Sequence, residues 1–539
     1  MDSRAKQLLD NGDSLFAKRG TLLSFWQEVS ENFYPERADF TVSRTLGEDF
    51  AAGLSSSYPL IVRRELGNSF SAMLRRQDQE WFHISIDRED RIDHAGKAWL
   101  ERATKIQRRA MYDRASMFVR ATKEGDHDFA SFGQCVITKD INFAKTALLY
   151  RCWHLRDVAW AEAPDGTIGE VHHKLKPSIQ WLMKEFGEGK LHQNVKKHAA
   201  KSPYMEINCR RIVMTGEDYD GRKSAFVSLY IDTDNGHVID ERDSFSQIYI
   251  VPRWQTVSGS QYAYSPAVVA GLPDARLLQA MTLTLLEAGE MAVRPPLVAT
   301  KEAIYGGIKY FSGGITQVDA AYDERLGEAL RPISSDTRAL PFGMDISREK
   351  MEMLSQAFFL NKLSALPPKE MTAYEASEWI KEYIRNALPL FEPMEQEYNG
   401  ALCEATFDDL MRLGAFGPAR DIPRSLRNAE VRFAFESPLH DAIERQKGQK
   451  FMQAKGLIAE AQPLDPASVA TLDVRKALRD ALSGIRVDAE WLRSEEDVEA
   501  YAVHIEQQQQ MQQQASMAQQ AAELGEQAGK AGQALQAVA

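Results

Sequence analysis

The sequence predicts an α+β fold, and three observations carry that reading. Two helical stretches of matched length, near 271–293 and 346–365, bracket a glycine-punctuated run at 294–345. A much longer helical stretch occupies 372–414. Between 133 and 251 the pattern changes to short alternating runs separated by turn residues.

Taken in chain order, residues 3–34 read as two helices broken at Gly20-Thr21. The second carries Leu22, Leu23, Phe25, Trp26 and Val29 and is stopped by Pro35. Helical pattern returns at 55–76, 89–112 and 115–130, interrupted by a period-two piece at 81–86. From Gly133, residues 134–138 and 147–153 make a hairpin, and further strands are expected near 167–175, 204–214, 224–232 and 244–251. Asp234-Asn235-Gly236 signals a tight hairpin turn, because Asn and Gly tolerate positive φ. Short helices are expected at 177–186 and 189–200, inside this β-rich region.

The first of the matched helices has Gly271 before Pro273, read as a first-turn proline. It runs through Leu277, Met281, Leu285, Ala288 and Ala292 to the stop at Pro295-Pro296. The second starts at Asp345 or Ser347 and carries Met351, Leu354, Phe358 and Leu363 to Pro367-Pro368. Each spans about 30 Å at the α-helical rise. Between them, Gly306-Gly307 and Gly313-Gly314 punctuate short β-branched and aromatic runs at 308–311 and 315–318, so a small, mostly β module is expected there. The long third helix opens on a capping box, Thr372 with Glu375, and ends at Gly414. Pro389 and Pro393 predict a kink near its middle. Beyond it, Val431 to Phe435 alternates like a strand that rejoins the β body. Helices follow at 438–461 and 466–483, and a last one begins near Ser494-Glu495-Glu496-Asp497, where acidic residues suit the helix dipole. It runs into Gln507–Gln514 and an Ala/Gln/Gly tail.

At 539 residues the chain can bury several cores, and its length suggests three or four domains. Four cysteines, at 135, 152, 209 and 403, have no CxxC spacing, which reads as reduced thiols in a cytoplasmic setting. The start, Met1-Asp2-Ser3-Arg4, shows no apolar signal core, and no run is long enough for a transmembrane helix.

Chemistry is hard to place on this chain. No phosphate loop, GxSxG elbow or HExxH motif occurs. His172-His173 would point to opposite sides of a strand, and His192 with His198 lacks an i, i+4 spacing, so all four read as core or surface histidines. Gly187-Glu188-Gly189 follows a helix and reads as a helix-to-helix turn. Asp408-Asp409 reads as part of a solvated helix face. No catalytic residue, cofactor or metal is assigned.

Tyr264-Ser265-Pro266 stands ahead of Leu272-Pro273-Asp274. Val293-Arg294-Pro295-Pro296-Leu297, Met371-Thr372-Ala373 with Glu375, and Ser437-Pro438-Leu439 follow in that order. Together with chain length and the Gln/Ala-rich end, these resemble the successive signatures of the head-to-tail connecting (portal) proteins of short-tailed, T7-like bacteriophages. The chain departs from that pattern twice. Gln261-Tyr262-Ala263-Tyr264 stands where a glycine-rich turn is expected, and Tyr374-Glu375-Ala376 where Thr-Glu-Val is expected.

The resemblance implies a portal fold. Residues 1–270 would form an α/β wing, 271–293 and 346–365 the helical stem hairpin, and 294–345 a small β-containing clip. Residues 366–371 would form a tunnel loop, 372–414 the long kinked helix, 415–490 the wing return and crown, and 491–539 a C-terminal barrel helix with its tail. The tail has two readings: a disordered low-complexity end beyond Gly525, or helices at 495–524 packing about an axis with those of other copies.

It also implies a homododecameric ring at one capsid vertex, conducting double-stranded DNA during packaging and ejection. Expected partners are the terminase large subunit, the major capsid protein and scaffold, internal core proteins and tail adaptor or tubular tail proteins, with no membrane. Assembly would occur in the host cytoplasm. The candidate site residues are mechanical: the loop Leu366, Pro367, Pro368, Lys369, Glu370 and Met371; Arg348, Lys350, Lys362 and Lys369 as channel contacts; and Lys301, Lys309, Arg325 and Arg331 as clip contacts. A net charge of −12 and a pI near 5.6 argue against a protein that grips nucleic acid over its whole surface. The charge does not argue against a channel through which DNA slides, since an acidic or mixed wall limits sticking to phosphates, and it separates binder from conduit only weakly. The rivals are an enzyme of the packaging machinery, such as a nuclease or ATPase, and a single-copy scaffold or adaptor.

Overall fold

The computed structural model describes residues 3–45, 47–77, 79–87, 92–295, 297–299, 304–305, 317–318, 330–332, 340–363, 393–427, 429–435, 438–463, 465, 468, 471–484, 487, 491–494, 497–514 and 517. The chain divides into two compact units. One comprises Met1–Phe82, Ile106–Phe416 and Phe435–Leu439; the other comprises His83–Lys105, Gly417–Ala434 and His440–Ala539.

The elements, in chain order, begin with α1 (Ser3–Lys18), α2 (Gly20–Phe33), α3 (Tyr58–Leu74), β1 (Phe82–Ile86), α4 (His94–Met111) and α5 (Phe118–Phe132). The β region holds β2 (Val136–Ile141), β3 (Leu148–Trp153), β4 (Val158–Glu162), β5 (Ile168–Leu175), α6 (Ile179–Phe186), α7 (Gln193–Ala199), β6 (Cys209–Thr215), α8 (Gly216–Asp220), β7 (Phe226–Asp232), β8 (His237–Ser244), β9 (Tyr249–Ile250), β10 (Gln255–Thr256) and β11 (Ala263–Tyr264). Then come α9 (Pro266–Val293), β12 (Leu297–Ala299), β13 (Ile304–Tyr305), β14 (Gln317–Val318), β15 (Leu330–Pro332), α10 (Leu340–Ala357) and α11 (Leu360–Leu363). After a π-helical stretch, Met394–Gly400, the chain continues as α12 (Ala401–Arg412), β16 (Val431–Phe435), α13 (Pro438–Ala461) and α14 (Val474–Gly484), with further helix at 497–514.

In the first unit the core is an antiparallel five-stranded sheet in the order β4-β5-β6-β7-β8, covered on both faces. Alternation along β6 and β7 decides which helix covers which face. Ile212, Met214, Val227, Leu229 and Ile231 meet Ala5, Leu8 and Leu9 of α1. Cys209, with Tyr230 packed alongside, meets Ile179, Leu182 and Phe186 of α6 and Val195 of α7. Arg19, at the break between α1 and α2, is buried and donates to the carbonyls of Leu155, Arg156 and Val158, which fastens the helices to β4. A second antiparallel sheet, β3-β2-β9, packs against α5. The second unit pairs β1 with β16. There the Asp93 carboxylate accepts from Gly96 N (2.7 Å) and Ser425 Oγ (2.6 Å), holding the start of α4.

Several expectations are corrected. The strands β4 and β8 were not predicted, and the strand expected at 244–251 is only the two residues of β9. The 231–238 turn does carry Gly236 at φ +60°. Among the described residues of 466–483, α-helix is found only in α14. Val431–Phe435 is a strand, but its partner is β1 and not the five-stranded sheet. Asp409 is no solvated carboxylate: its Oδ2 lies 2.8 Å from the buried Lys139 ammonium, which also donates to Ala405 O. His172 and His173 do point to opposite faces, toward Glu170 and Tyr249 respectively, and both are buried. All four cysteines are free thiols. No described helix is long and apolar enough to cross a membrane.

Candidate functional site

The helical hairpin of α9 and α10 is the feature on which a functional reading turns. Its first helix is set by a serine. Ser265 Oγ accepts from Val268 N at 3.4 Å and donates to Ala130 O at 2.7 Å, so one hydroxyl caps α9 and ties it to α5. Gly133 stands against that cap with φ +73°, and a Cβ there would lie 2.1 Å from the Tyr264 carbonyl carbon. Only glycine allows the approach.

Pro266, and not Pro273, is the first-turn proline, so α9 begins five residues before the expected start. Over 28 residues it reaches about 42 Å. Pro273 is interior and denies the Val269 carbonyl its helical donor, which an exposed position tolerates.

The second helix also starts earlier than Asp345. Ser347 is not a cap: it is buried in α10 and donates back to Gly343 O at 3.0 Å. The helices approach closely where glycines allow it. A Cβ on Gly271 would lie 3.1 Å from Phe358 and 3.2 Å from Leu354, and one on Gly343 would lie 2.9 Å from Leu285. Leu272, Ala275, Leu278, Leu354 and Phe358 are buried at this base, and Phe358 packs on Phe33 at 5.2 Å. Gln279 Oε1 accepts from Ser55 N and Ser56 N, each at 2.8 Å, adding a polar anchor.

Beyond that base the hairpin is apolar without cover. Leu283, Leu286, Met291 and Val293 of α9, with Phe342 and Met344 of α10, are exposed, reaching 79% for Val293 and 69% for Phe342. By their spacing Leu283, Leu286 and Val293 share one face of α9, and an apolar face left exposed on a single chain marks a surface that another body covers.

Two irregular joints follow the hairpin in the chain. Phe359 sits at φ +58° between α10 and α11, an uncommon state for a bulky residue. The other joint is the π-helical stretch that begins directly after Pro393, where an interruption was expected. Three successive residues of it hold three parts of the body. Glu397 Oε2 accepts from Arg253 N (3.0 Å) and Nε (3.3 Å), and Arg253 also reaches Glu162 and Gly166 O. Tyr398 donates to Thr122 O on α5. Asn399 Oδ1 accepts from Nη1 of Arg75, the residue just past α3, at 2.7 Å, while Arg75 pairs with Asp126. Burial outweighs that guanidinium and pushes the Asp126 carboxyl up to about 6. Gly414, at φ +70°, follows the end of α12 as expected.

Of the candidate contacts, Arg348 is exposed and lies 3.5 Å from Asp345. Lys350 Nζ lies 3.1 Å from Asp274, so it bridges the two helices of the hairpin. Lys362 lies in α11 and Arg331 in β15, opposite Val298; only their backbone is described. Leu366, Pro367, Pro368, Lys369, Glu370, Met371, Lys301, Lys309 and Arg325 lie outside the described residues, as do the Thr372 capping box and Pro389. In the 294–345 run the described pieces include two strand pairs, β12 antiparallel to β15 and β13 to β14, while its last six residues, expected in the β module, already belong to α10. Sequence reasoning missed the Ser265 cap, although Ser followed by Pro is the usual cap-plus-first-turn signature. It also missed Glu397, Tyr398 and Asn399, whose partners are remote in sequence.

A family model described as bacteriophage head to tail connecting protein matches residues 5–492. The chain is 23% identical over 473 residues to the probable portal protein of Bordetella phage BPP-1, covering 85% of this chain and 84% of that one. It is 20% identical over 501 residues to the portal protein of Salmonella phage epsilon15, covering 89% and 87%. A chain of a solved gene transfer agent virion is similar at 10% identity with a TM-score of 0.36, over 76% of this chain and 89% of that one. This chain belongs to the family of bacteriophage head to tail connecting proteins.

Proposed function

We propose that this chain does its work as a portal, the head-to-tail connector of a phage particle, in the form of a homododecameric ring at one capsid vertex. Connector function follows from the family. The observation that favours a ring is the uncovered apolar surface of α9 and α10. A neighbouring copy covers it through a heterologous contact, and such contacts close into rings when the rotation permits.

In this reading the hairpin is the stem and 294–345 the clip that docks first the terminase large subunit and then tail adaptor or tubular tail proteins. Lys301, Lys309, Arg325 and Arg331 serve that docking surface. Residues 1–270 form the wing, which meets the major capsid protein, scaffold and internal core proteins. The 366–371 loop projects into the channel, with Arg348, Lys362 and Lys369 touching phosphates transiently. Lys350, given its bond to Asp274, contributes to the channel wall more as a strut than as a free cation. The action is passive guidance and retention of DNA, with energy supplied by a partner and no catalytic step in this chain. The ring assembles in the host cytoplasm and ends in the virion.

Light scattering and negative-stain imaging of the purified protein test this. The expected result is an annulus with a mass near a dodecamer of the 60.7 kDa chain. Leu286→Glu combined with Val293→Glu should leave folded single chains, since both positions are exposed within one copy. A wild-type protein that stays a single-copy globule overturns the ring.

A further inference from the structure

The insert that joins β5 to β6 carries chemistry that the connector reading does not use. Between residues 174 and 201 stand seven lysines and two glutamates, in a chain whose net charge is −12; Lys174 stacks over Phe16 and Lys190 pairs with Asp240, so the other five carry the excess positive charge. Beside them is a set of large side chains that the fold leaves uncovered. Ile179 N donates to Met205 O at 3.0 Å and Gln180 N to Pro203 O at 2.9 Å, so the 203–205 segment is fastened along the first turn of α6. This places Tyr204 and Met205 next to Trp181, all three exposed, with Tyr204 at 76%. One turn along α6, the Lys184 ammonium lies 4.7 Å over the ring of Phe143, itself exposed at the β2–β3 turn. Lys201 precedes the same segment by three residues.

Tyr, Trp, Phe and Met are the residues that interface centres favour, and here the exposed Lys184 lies over Phe143 while the exposed Lys201 stands three residues before Tyr204. Those lysines also say what kind of body fits. Duplex nucleic acid would satisfy the lysines, but it presents phosphate and not apolar surface to Trp181, Tyr204 and Met205. An acidic helix with apolar side chains at i, i+3 and i+4 satisfies both.

We propose that Phe143, Trp181, Tyr204 and Met205, with Lys184 and Lys201, form a docking site for an acidic amphipathic helix of a partner protein. The site lies on the sheet body, away from the hairpin residues that favour a ring, and does not depend on that reading.

The test titrates the assembled full-length protein with a fluorescent synthetic helix bearing Glu on one face and Leu on the other, read by anisotropy. Saturable binding is expected. It should weaken by about tenfold or more in Trp181→Ala/Tyr204→Ala, and equally in Lys184→Glu/Lys201→Glu, whose exposed positions leave folding intact. A helix with Ser in place of Leu, and one with Lys in place of Glu, should both fail. Absence of saturable binding overturns the proposal, as does equal competition by a DNA duplex. It is also overturned if the variants bind normally but no longer form the wild-type assembly, because the patch is then a contact between copies.

Discussion

His173 lies inside the sheet body, its Nδ1 2.9 Å from the Tyr249 hydroxyl and its ring edge-on to Trp153 at 4.4 Å between centroids. Burial, reinforced by Arg211, depresses its pKa to about 3. Below the ordinary histidine value of about 6.5, the unfolded chain takes up a proton that the folded chain refuses until near pH 3. The folded state therefore loses about 1.4 kcal/mol for each pH unit of acidification across that window. Asp126 works the other way: with its carboxyl raised to about 6, it contributes stability at low pH that is lost as pH rises through 6. The two slopes oppose each other, so the informative measurement is a difference. His173→Gln should lower the slope of unfolding free energy against pH between 4 and 6 by about one proton relative to wild type, leaving the opposing Asp126 contribution uncompensated, in denaturant titrations. An unchanged slope would mean that the histidine is not held neutral.

At the scale of elements, the joint between α10 and α11 separates two adjacent phenylalanines with opposite roles. Phe358 is fully buried on Phe33 and beside Gly271, so Phe358→Ala should cost about 3–5 kcal/mol. Phe359 holds a positive φ that a bulky side chain resists, at a cost on the order of 1–3 kcal/mol. Phe359→Gly relieves that strain while losing ring contacts such as that with Trp254, and its net loss should stay below about 1 kcal/mol. Equal losses in chemical denaturation would contradict this division. The joint was not legible beforehand, since Phe358 and Leu363 fit one uninterrupted helix. By contrast, the paired helices before Pro35, the β2–β3 hairpin and the 231–238 turn were read correctly, because local periodicity and turn chemistry decide them. The strand β4 escaped because its five residues depend on pairing with β5. The strand β8 escaped because, at the sheet's edge, its Glu241, Arg242 and Asp243 read as a loop while one side of the ladder supports them. Likewise Pro273 drew the helix start away from Pro266, and the bond from Lys350 to Asp274 required knowing which helix lay opposite.

For the whole molecule, the α+β class and the family were legible from end to end, whereas the candidate residues were separated by what their surroundings do with them. If the 366–371 loop meets DNA in the assembled connector, Lys369→Ala together with shortening of the loop should leave ring formation intact. DNA content of purified heads should fall severalfold. Full heads of normal DNA content from such a mutant would remove the loop from the account. The widened stretch Met394–Gly400 has a mechanical corollary. A π turn takes in one residue more than an α turn, so returning it to ordinary pitch would rotate the chain entering at Pro393 by about 100° against Ala401–Arg412. Because Glu397, Tyr398 and Asn399 are each hydrogen-bonded to a different part of the body, that rotation would have to break those bonds. Torque arriving from the preceding segment would be stored or released in a single surplus residue, in the manner of a detent in a shaft.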